Sequence, residues 1–313
     1  MQLECWQPLM NNITLPHSHF LPNRFQALRV LQEKIGSEQW DKQWERTSDK
    51  ASVFVSASKL PWDSEQLGIG CGWLDCVLAH GSFPERKNYL TEICSEVIGW
   101  CKEQGINFLA TKIDSDQIMA LHALEDLGMR IVDCELTWAL DKRMQAWGVK
   151  KKIKLDDRVE IELNNNFEVG EVDQLGEAFN TDRFHVDDKI DNVRADSLWT
   201  NSLRNACRER ADQVVIARCE GKVIGMVTCF IDIEASRYLE TPVCDLAHVV
   251  VIPEWHSRGI GRSLLGHAIN WAQRQVRFIQ IGTQVRNYAA NALYGKMGFR
   301  LAKSQYSLHA HWD

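Results

Sequence analysis

Between Val249 and Leu265 the chain reads VVVIPEWHSRGIGRSLL, a β-branched run followed by a glycine-containing turn and an apolar helical pattern. This order aims backbone N–H groups at one point. Gly259 and Gly261 allow a ligand close to the main chain, and the helix that the pattern starts at Arg262 adds its dipole and amides. An anion such as a pyrophosphate is favoured there. Arg258 and Arg262 supply positive charge. The stretch has neither GxxxxGK followed by Ser or Thr nor GxGxxG, so it is neither a Walker loop nor a dinucleotide fingerprint.

Three further residues could move protons. The Tyr294 phenol can donate to a leaving group, and Asp245 or His248, in the strand that leads to the turn, can accept from a nucleophile. A regular strand turns Asp245 and His248 to opposite faces unless a bulge intervenes, so the sequence leaves the base open between them. Upstream, Phe179–Lys189 reads FNTDRFHVDDK. Arg183 can grip a phosphate bidentately, and Phe184 or His185 can stack on a flat ring.

These residues need a scaffold, and the periodicity supplies one of α/β type. The pattern predicts strands at Ala51–Ser58, Asn107–Ile113 and Arg130–Leu140 and helices at Lys87–Gln104 and Asp116–Leu127. A short amphipathic helix is read at Gln26–Gly36. Further on, strands are expected at Val159–Leu163, Gln213–Cys219, Val223–Ile231, Asp245–Val251 and Phe278–Gln284. Helices are expected at Glu171–Phe179, Ala195–Arg210, Arg262–Gln273 and Tyr288–Met297. The turn Glu220-Gly221-Lys222 reads as a hairpin. Residues 1–59 carry no readable function, 60–143 form a first unit, 144–157 (with KKIK) a linker and 158–313 a second unit. The segment DSDQIMALHALEDLGMRIV, from Asp114 to Val132, aligns without a gap with QVRNYAANALYGKMGFRLA, from Gln284 to Ala302. The first copy has Gln117 and Leu124 where the second has Asn287 and Tyr294, which points chemistry to the second half.

A chain of 313 residues fits two domains, and 45% hydrophobic with 25% charged residues is ordinary globular composition. The net charge of −6 argues against a polynucleotide partner. The ten cysteines are scattered without a CxxC pair or a secretory leader, which reads as reduced thiols in a cytoplasmic protein. No apolar run is long enough for a membrane span, and no metal is expected.

The turn resembles the acetyl-CoA loop of the GNAT superfamily, written Q/R-x-x-G-x-G/A after a strand ending V-x-P. Here it reads His256-Ser257-Arg258-Gly259-Ile260-Gly261 after Val251-Ile252-Pro253, with His256 departing from Gln or Arg. The resemblance covers residues 158–313 and includes Asn287, Tyr294 and Gly298-Phe299. It implies acetyl-CoA as co-substrate, with the pantetheine arm along the backbone of Val249, Val250 and Val251 and the pyrophosphate over residues 256–262. It also implies an Asn287 contact to the cofactor and Tyr294 as general acid. Asp245 stands where several members carry a glutamate base. Together with Leu60–Gly68, LPWDSEQLG, the 183–185 segment is similar to nucleotide-sugar N-acetyltransferases of the dTDP-fucosamine 4-N-acetyltransferase type. The implied fold is two GNAT-like units, each a mixed central sheet flanked by helices, the N-terminal one partial or degenerate. The implied acceptor is a primary amine on a dTDP- or UDP-linked amino sugar bound by Arg183, Phe184 and His185, and a homodimer is compatible with it. A peptide, lysine, polyamine or aminoglycoside acceptor, or a non-catalytic acetyl-CoA-binding protein, remains open.

Overall fold

The structure, a computed structural model, describes residues 40–143, 155–164, 168–233, 236 and 240–312. The expected helix at Gln26–Gly36 and most of the expected linker, 144–154, lie outside the described residues. The described residues form two compact units. One holds 40–135, Val186–Lys189 and 304–312; the other holds the rest. The chain leaves the first unit within a strand, between Glu135 and Leu136, and returns to it twice.

The elements run in the order β1 (Lys42–Thr47), β2 (Ala51–Lys59), α1 (Pro61–Leu67), β3 (Cys71–Gly81), α2 (Phe83–Glu103), β4 (Phe108–Asp114), α3 (Ile118–Asp126) and β5 (Arg130–Asp141). Then follow β6 (Val159–Leu163), a 3₁₀ turn at Val169–Val172, α4 (Asp173–Gly176), α5 (Asn192–Asn205), β7 (Gln213–Cys219), β8 (Lys222–Ile231), β9 (Val243–Leu246) and β10 (Val250–Val251). The last elements are α6 (Ile260–Ala272), β11 (Phe278–Gln284), α7 (Tyr288–Lys296) and β12 (Arg300–His311). Among the described residues no helix is long and apolar enough to cross a membrane.

In the first unit the strand order is β1-β2-β3-β4-β12, with β3 and β4 parallel and the other pairs antiparallel. Helix α2 buries Leu90, Ile93, Cys94, Val97, Trp100 and Cys101, the three- and four-residue spacing of one helical face. They pack with Val53, Val55, Leu109 and Leu308 in one core. Each fully buried aliphatic side chain of this kind contributes roughly 1.5–3 kcal/mol.

In the second unit the order is β5-β11-β9-β8-β7-β6, with β10 also pairing β8. Glu220 and Gly221 join β7 to β8 at φ 49° and 81°. Both central residues are left-handed, as a tight hairpin turn requires, and glycine takes the more positive angle without strain. The core beneath the sheet gathers Leu246, Ile260, Leu264, Leu265, Ile269, Ile279, Ile281, Tyr294 and Phe299.

Four expected boundaries are corrected. Asp245–Val251 is two strands, because the chain bulges between Leu246 and Val250. The helix after the turn starts at Ile260 rather than Arg262, with Gly259 as its cap at φ 82°. The helix read at Glu171–Phe179 is a 3₁₀ turn and four residues of helix, with Gly176 packed closely on Thr200. The polar helix at Ala195–Arg210 starts earlier, at Asn192, where the Asp191 carboxylate accepts the Val193 amide at 2.9 Å, and ends in a π turn over Ala206–Arg210.

The internal echo is structural as well. Strand, helix and following strand recur at a constant offset: α3 spans Ile118–Asp126 and α7 spans Tyr288–Lys296, while β5 begins at Arg130 and β12 at Arg300. Gly128 and Gly298 end the two helices at φ 92° and 91°. The Met129 amide reaches the Leu124 carbonyl at 3.0 Å, and the Phe299 amide reaches the Tyr294 carbonyl at 3.1 Å. Leu124 and Tyr294 are both buried at the matching position.

Gly225 on β8 pairs with Val251, and a Cβ there would lie 2.8 Å from the Val250 carbonyl oxygen. Gly225→Ala is expected to force β10 off β8 and to destabilise the protein by about 1–3 kcal/mol, read as a lower urea midpoint.

Candidate active site

The second unit's sheet opens where the expected ligand strand runs. Strand β9 pairs in parallel with β11 from Val243 opposite Phe278 to Leu246 opposite Ile281, whereas β11 continues to Gln284. On its other edge, Leu246 faces Cys229 and Val250 faces Met226 on β8. Four steps along one strand against three along the other make a bulge of one residue. Within it the Ala247 amide donates to the Thr228 carbonyl at 3.0 Å and the Val249 amide to the Ala247 carbonyl at 3.0 Å. Past the bulge, Val250 and Val251 pair with β8 but not with β11.

The turn that follows ends in the N-terminus of α6. Its first helical hydrogen bond joins the Ser263 amide to the Gly259 carbonyl at 3.0 Å, and the amides of Ile260, Gly261 and Arg262 stand ahead of it. Ser257 and Gly259 both take positive φ, 61° and 82°. Arg258 and Arg262 are exposed, and the Arg258 guanidinium stacks 4.8 Å from the Trp255 ring. Ile260 is buried and anchors the helix. His256 does something the sequence did not suggest: its Nε2 hydrogen-bonds the Val251 carbonyl at 2.8 Å, tying the turn to the strand.

Tyr294 stands on α7 beside this turn. A Cβ added at Gly261 would lie 3.7 Å from Leu293 and 3.9 Å from Val251, so the start of α6, β10 and α7 meet there. The Tyr294 ring packs edge-on to Trp138 at 6.5 Å and near Phe299 at 6.1 Å. Burial pushes its phenol well above the usual tyrosine value, so it stays protonated. Among the described residues no protein group hydrogen-bonds its hydroxyl. Asn287 caps α7, its Oδ1 accepting the Ala290 amide at 3.2 Å and its Nδ2 donating to Thr283 Oγ1 at 3.0 Å. That is a helix-capping role beside the expected cofactor contact.

The bulge also decides the facing of Asp245 and His248. Asp245 pairs directly with Phe230, and Phe230 meets the His248 ring at 6.4 Å. Directly paired residues share a face, so the bulge brings Asp245, Phe230 and His248 to one side. His248 is held on both ring nitrogens, with Thr228 Oγ1 at 2.9 Å from Nδ1 and Ser202 Oγ at 3.1 Å from Nε2. Phe179 and Trp199 stack on each other at 4.7 Å and both meet His248 edge-on at 6.3 Å. Phe179, Ser202, Trp199, Thr228 and Phe230 were not legible as site residues, because three separate elements contribute them.

The 183–185 segment lies near the same helix but is largely engaged internally. His185 Nδ1 meets Asp182 at 2.5 Å and Nε2 meets Asp196 of α5 at 3.1 Å. Phe184 is buried, with the Arg183 guanidinium 4.4 Å over its ring. Asp196, Trp199 and Ser202 recur every third residue along α5, so one helix holds both His185 and the wall around His248.

Comparison with known proteins agrees with this geometry. Residues 174–299 match the model of the acetyltransferase (GNAT) family. The spore coat polysaccharide biosynthesis protein SpsD of Bacillus subtilis is 29% identical over 134 residues, 42% of this chain and 44% of that protein. An uncharacterized N-acetyltransferase of Methanocaldococcus jannaschii is 28% identical over 89 residues, 28% of this chain and 39% of that protein. The chain thus spans less than half the length of these curated relatives. Among solved structures, a tandem GNAT protein from the clavulanic acid biosynthesis pathway superposes with a TM-score of 0.57 at 12% identity, over 99% of this chain and 94% of that one. A GCN5-related glucosamine N-acetyltransferase region of a fungal β-N-acetylglucosaminidase gives 0.58 at 15% identity, over 98% of this chain and 36% of that one. Residues 174–299 thus resemble an acetyltransferase domain of the GNAT family, in a chain folded as two GNAT-like units.

Proposed function

We propose that the protein transfers the acetyl group of acetyl-CoA to a primary amine, in the second unit and in the cytoplasm. The observation that carries this reading is the strand that leaves its parallel partner at Leu246 and runs into the Gly259 turn. Val250 and Val251 offer main-chain groups to a pantetheine arm, and the amides of residues 260–262 with Arg258 and Arg262 receive the pyrophosphate. No metal is needed in this scheme.

The amine attacks the thioester carbonyl as a neutral nucleophile, and the tetrahedral intermediate collapses with loss of thiolate. His248 takes the amine proton through Ser202: the Ser202 hydroxyl donates to Nε2 as it accepts from the amine, while Nδ1–H is held by Thr228. Tyr294 returns a proton to the departing sulfur. Asp245, on the same side, is the second candidate for the base. The acceptor in this reading is an amino sugar carried on a nucleotide, supported by the likeness to a protein of polysaccharide biosynthesis and by the aromatic wall of Phe179, Trp199 and Phe230. A homodimer fits this reading equally well.

Tyr294→Phe is expected to lower turnover about 100-fold or more while leaving acetyl-CoA affinity within about threefold, measured by thiol release and calorimetry. Equal turnover would remove Tyr294 as the acid. Because burial keeps the phenol protonated, the wild-type rate should show no alkaline limb from Tyr294 below about pH 10. His248→Asn should slow turnover about 100-fold, with Asp245→Asn slowing it far less. The opposite ranking would assign the base to Asp245. Assays against nucleotide-linked amino sugars, peptides and polyamines test the acceptor; activity confined to peptides would overturn the sugar reading and keep the acetyl transfer.

A further inference from the structure

The first unit contains a cluster that acetyl transfer does not use. His309 and His311 stand two apart on β12, so their side chains leave the same face of the strand. Asp187, in the Val186–Lys189 segment that belongs to this unit, meets both: its Oδ2 lies 2.6 Å from His309 Nδ1 and 2.8 Å from His311 Nε2. The side chains of Asp187, His309 and His311 are 5%, 2% and 14% exposed. One ligand atom from each lies within 4.8 Å of the others.

The three side chains of this cluster converge on one carboxylate oxygen. A carboxylate this far from water is stable when it is paired with a cation or bound to a metal. Among the described residues no lysine or arginine pairs with Asp187; two imidazoles and the Lys189 amide, at 3.1 Å, are its partners. Neighbouring groups hold the three side chains in place. The Lys189 amide holds the other carboxylate oxygen, and the Phe108 ring lies 4.8 Å from the His309 ring and 4.9 Å from that of His311, fixing both imidazoles.

We propose that Asp187, His309 and His311 bind a divalent transition-metal ion, zinc by the chemistry of the donors. Two imidazoles and one carboxylate are a common zinc set, with bonds of about 2.0–2.2 Å. Tetrahedral donors at that distance stand about 3.3 Å apart, so Asp187 Oδ2 draws back from both imidazole nitrogens to admit the ion. The fourth position falls to water on the side of His311, the most exposed of the three. The ion stabilises the first unit and takes no part in acetyl transfer. No metal is expected from the sequence, in which 122 residues separate Asp187 from His309.

The full-length protein, stripped with chelator and desalted, is titrated with zinc chloride, and a second sample with cobalt chloride. One zinc per chain should be retained, the melting temperature should rise with zinc, and cobalt should give ligand-field bands without thiolate charge transfer. Asp187→Asn and His311→Gln should each weaken zinc binding at least tenfold, in a competition with a chromophoric chelator. Absence of both zinc retention and cobalt bands in the wild-type protein overturns the site, whether or not the variants fold. So does a cobalt spectrum dominated by thiolate, or unchanged zinc affinity in folded variants. These readouts are independent of acetyltransferase activity.

Discussion

One extra residue between Leu246 and Val250 is the constraint on which the second unit's site rests. A strand in mid-sheet spends its amides and carbonyls on both neighbours, and nothing is left for a ligand. The bulge breaks that economy after Leu246. Strand β8 follows the chain onward to Val251, while the parallel pairing with β11 is given up. The same shift carries His248 to the face of Asp245 and Phe230. A single irregularity thus exposes main-chain polar groups and re-aims a titratable side chain, two effects that a regular strand could provide only at separate places.

The turn depends on that strand in its own way. Gly225 permits β10 to lie close to β8, His256 ties the turn back to Val251, and Ile260 sinks the first turn of α6 into the core. The helix terminus is therefore fixed by packing before any anion arrives, which lowers the cost of ordering it on binding. Charge is arranged to match. In this unit Arg158, Arg204, Arg218 and Arg277 are committed to ion pairs with carboxylates. Arg258 and Arg262 form no ion pair among the described residues, so a protein of net charge −6 still presents a local positive turn.

The repeated strand–helix–strand unit shows how one backbone serves two ends. Gly128 and Gly298 take nearly the same left-handed angle, and the amide after each reaches back to the carbonyl of Leu124 or Tyr294. What differs is polarity at two positions. Asn287 caps its helix through the side chain, whereas Gln117, at the corresponding place, makes no side-chain cap. Tyr294 brings a phenol to the position where Leu124 brings only carbon. Both side chains are buried, so the substitution preserves packing and changes only the chemistry the helix can offer.

Much of this was readable along the chain. Strands β6 and β7 ran from the first to the last residue expected, and the repeat was visible without a gap, because periodicity and a helix-ending glycine are local properties. The family likeness of the turn was local as well, carried by six consecutive residues. The bulge was not, since a one-residue slip against β8 is invisible without the partner strand. For the same reason the sequence left Asp245 and His248 open, assigned His256 to the cofactor and read Phe179 and Trp199 as nothing in particular. The division into units was likewise hidden: it falls inside β5 instead of at the expected 144–157, and it returns Val186–Lys189 and the end of β12 to the first unit. By itself the sequence determined the fold class, the repeat and the glycine turn. Only tertiary structure decided which side chains share a face and which distant residues meet, because those depend on strand register and on chain return, neither of which leaves a local pattern.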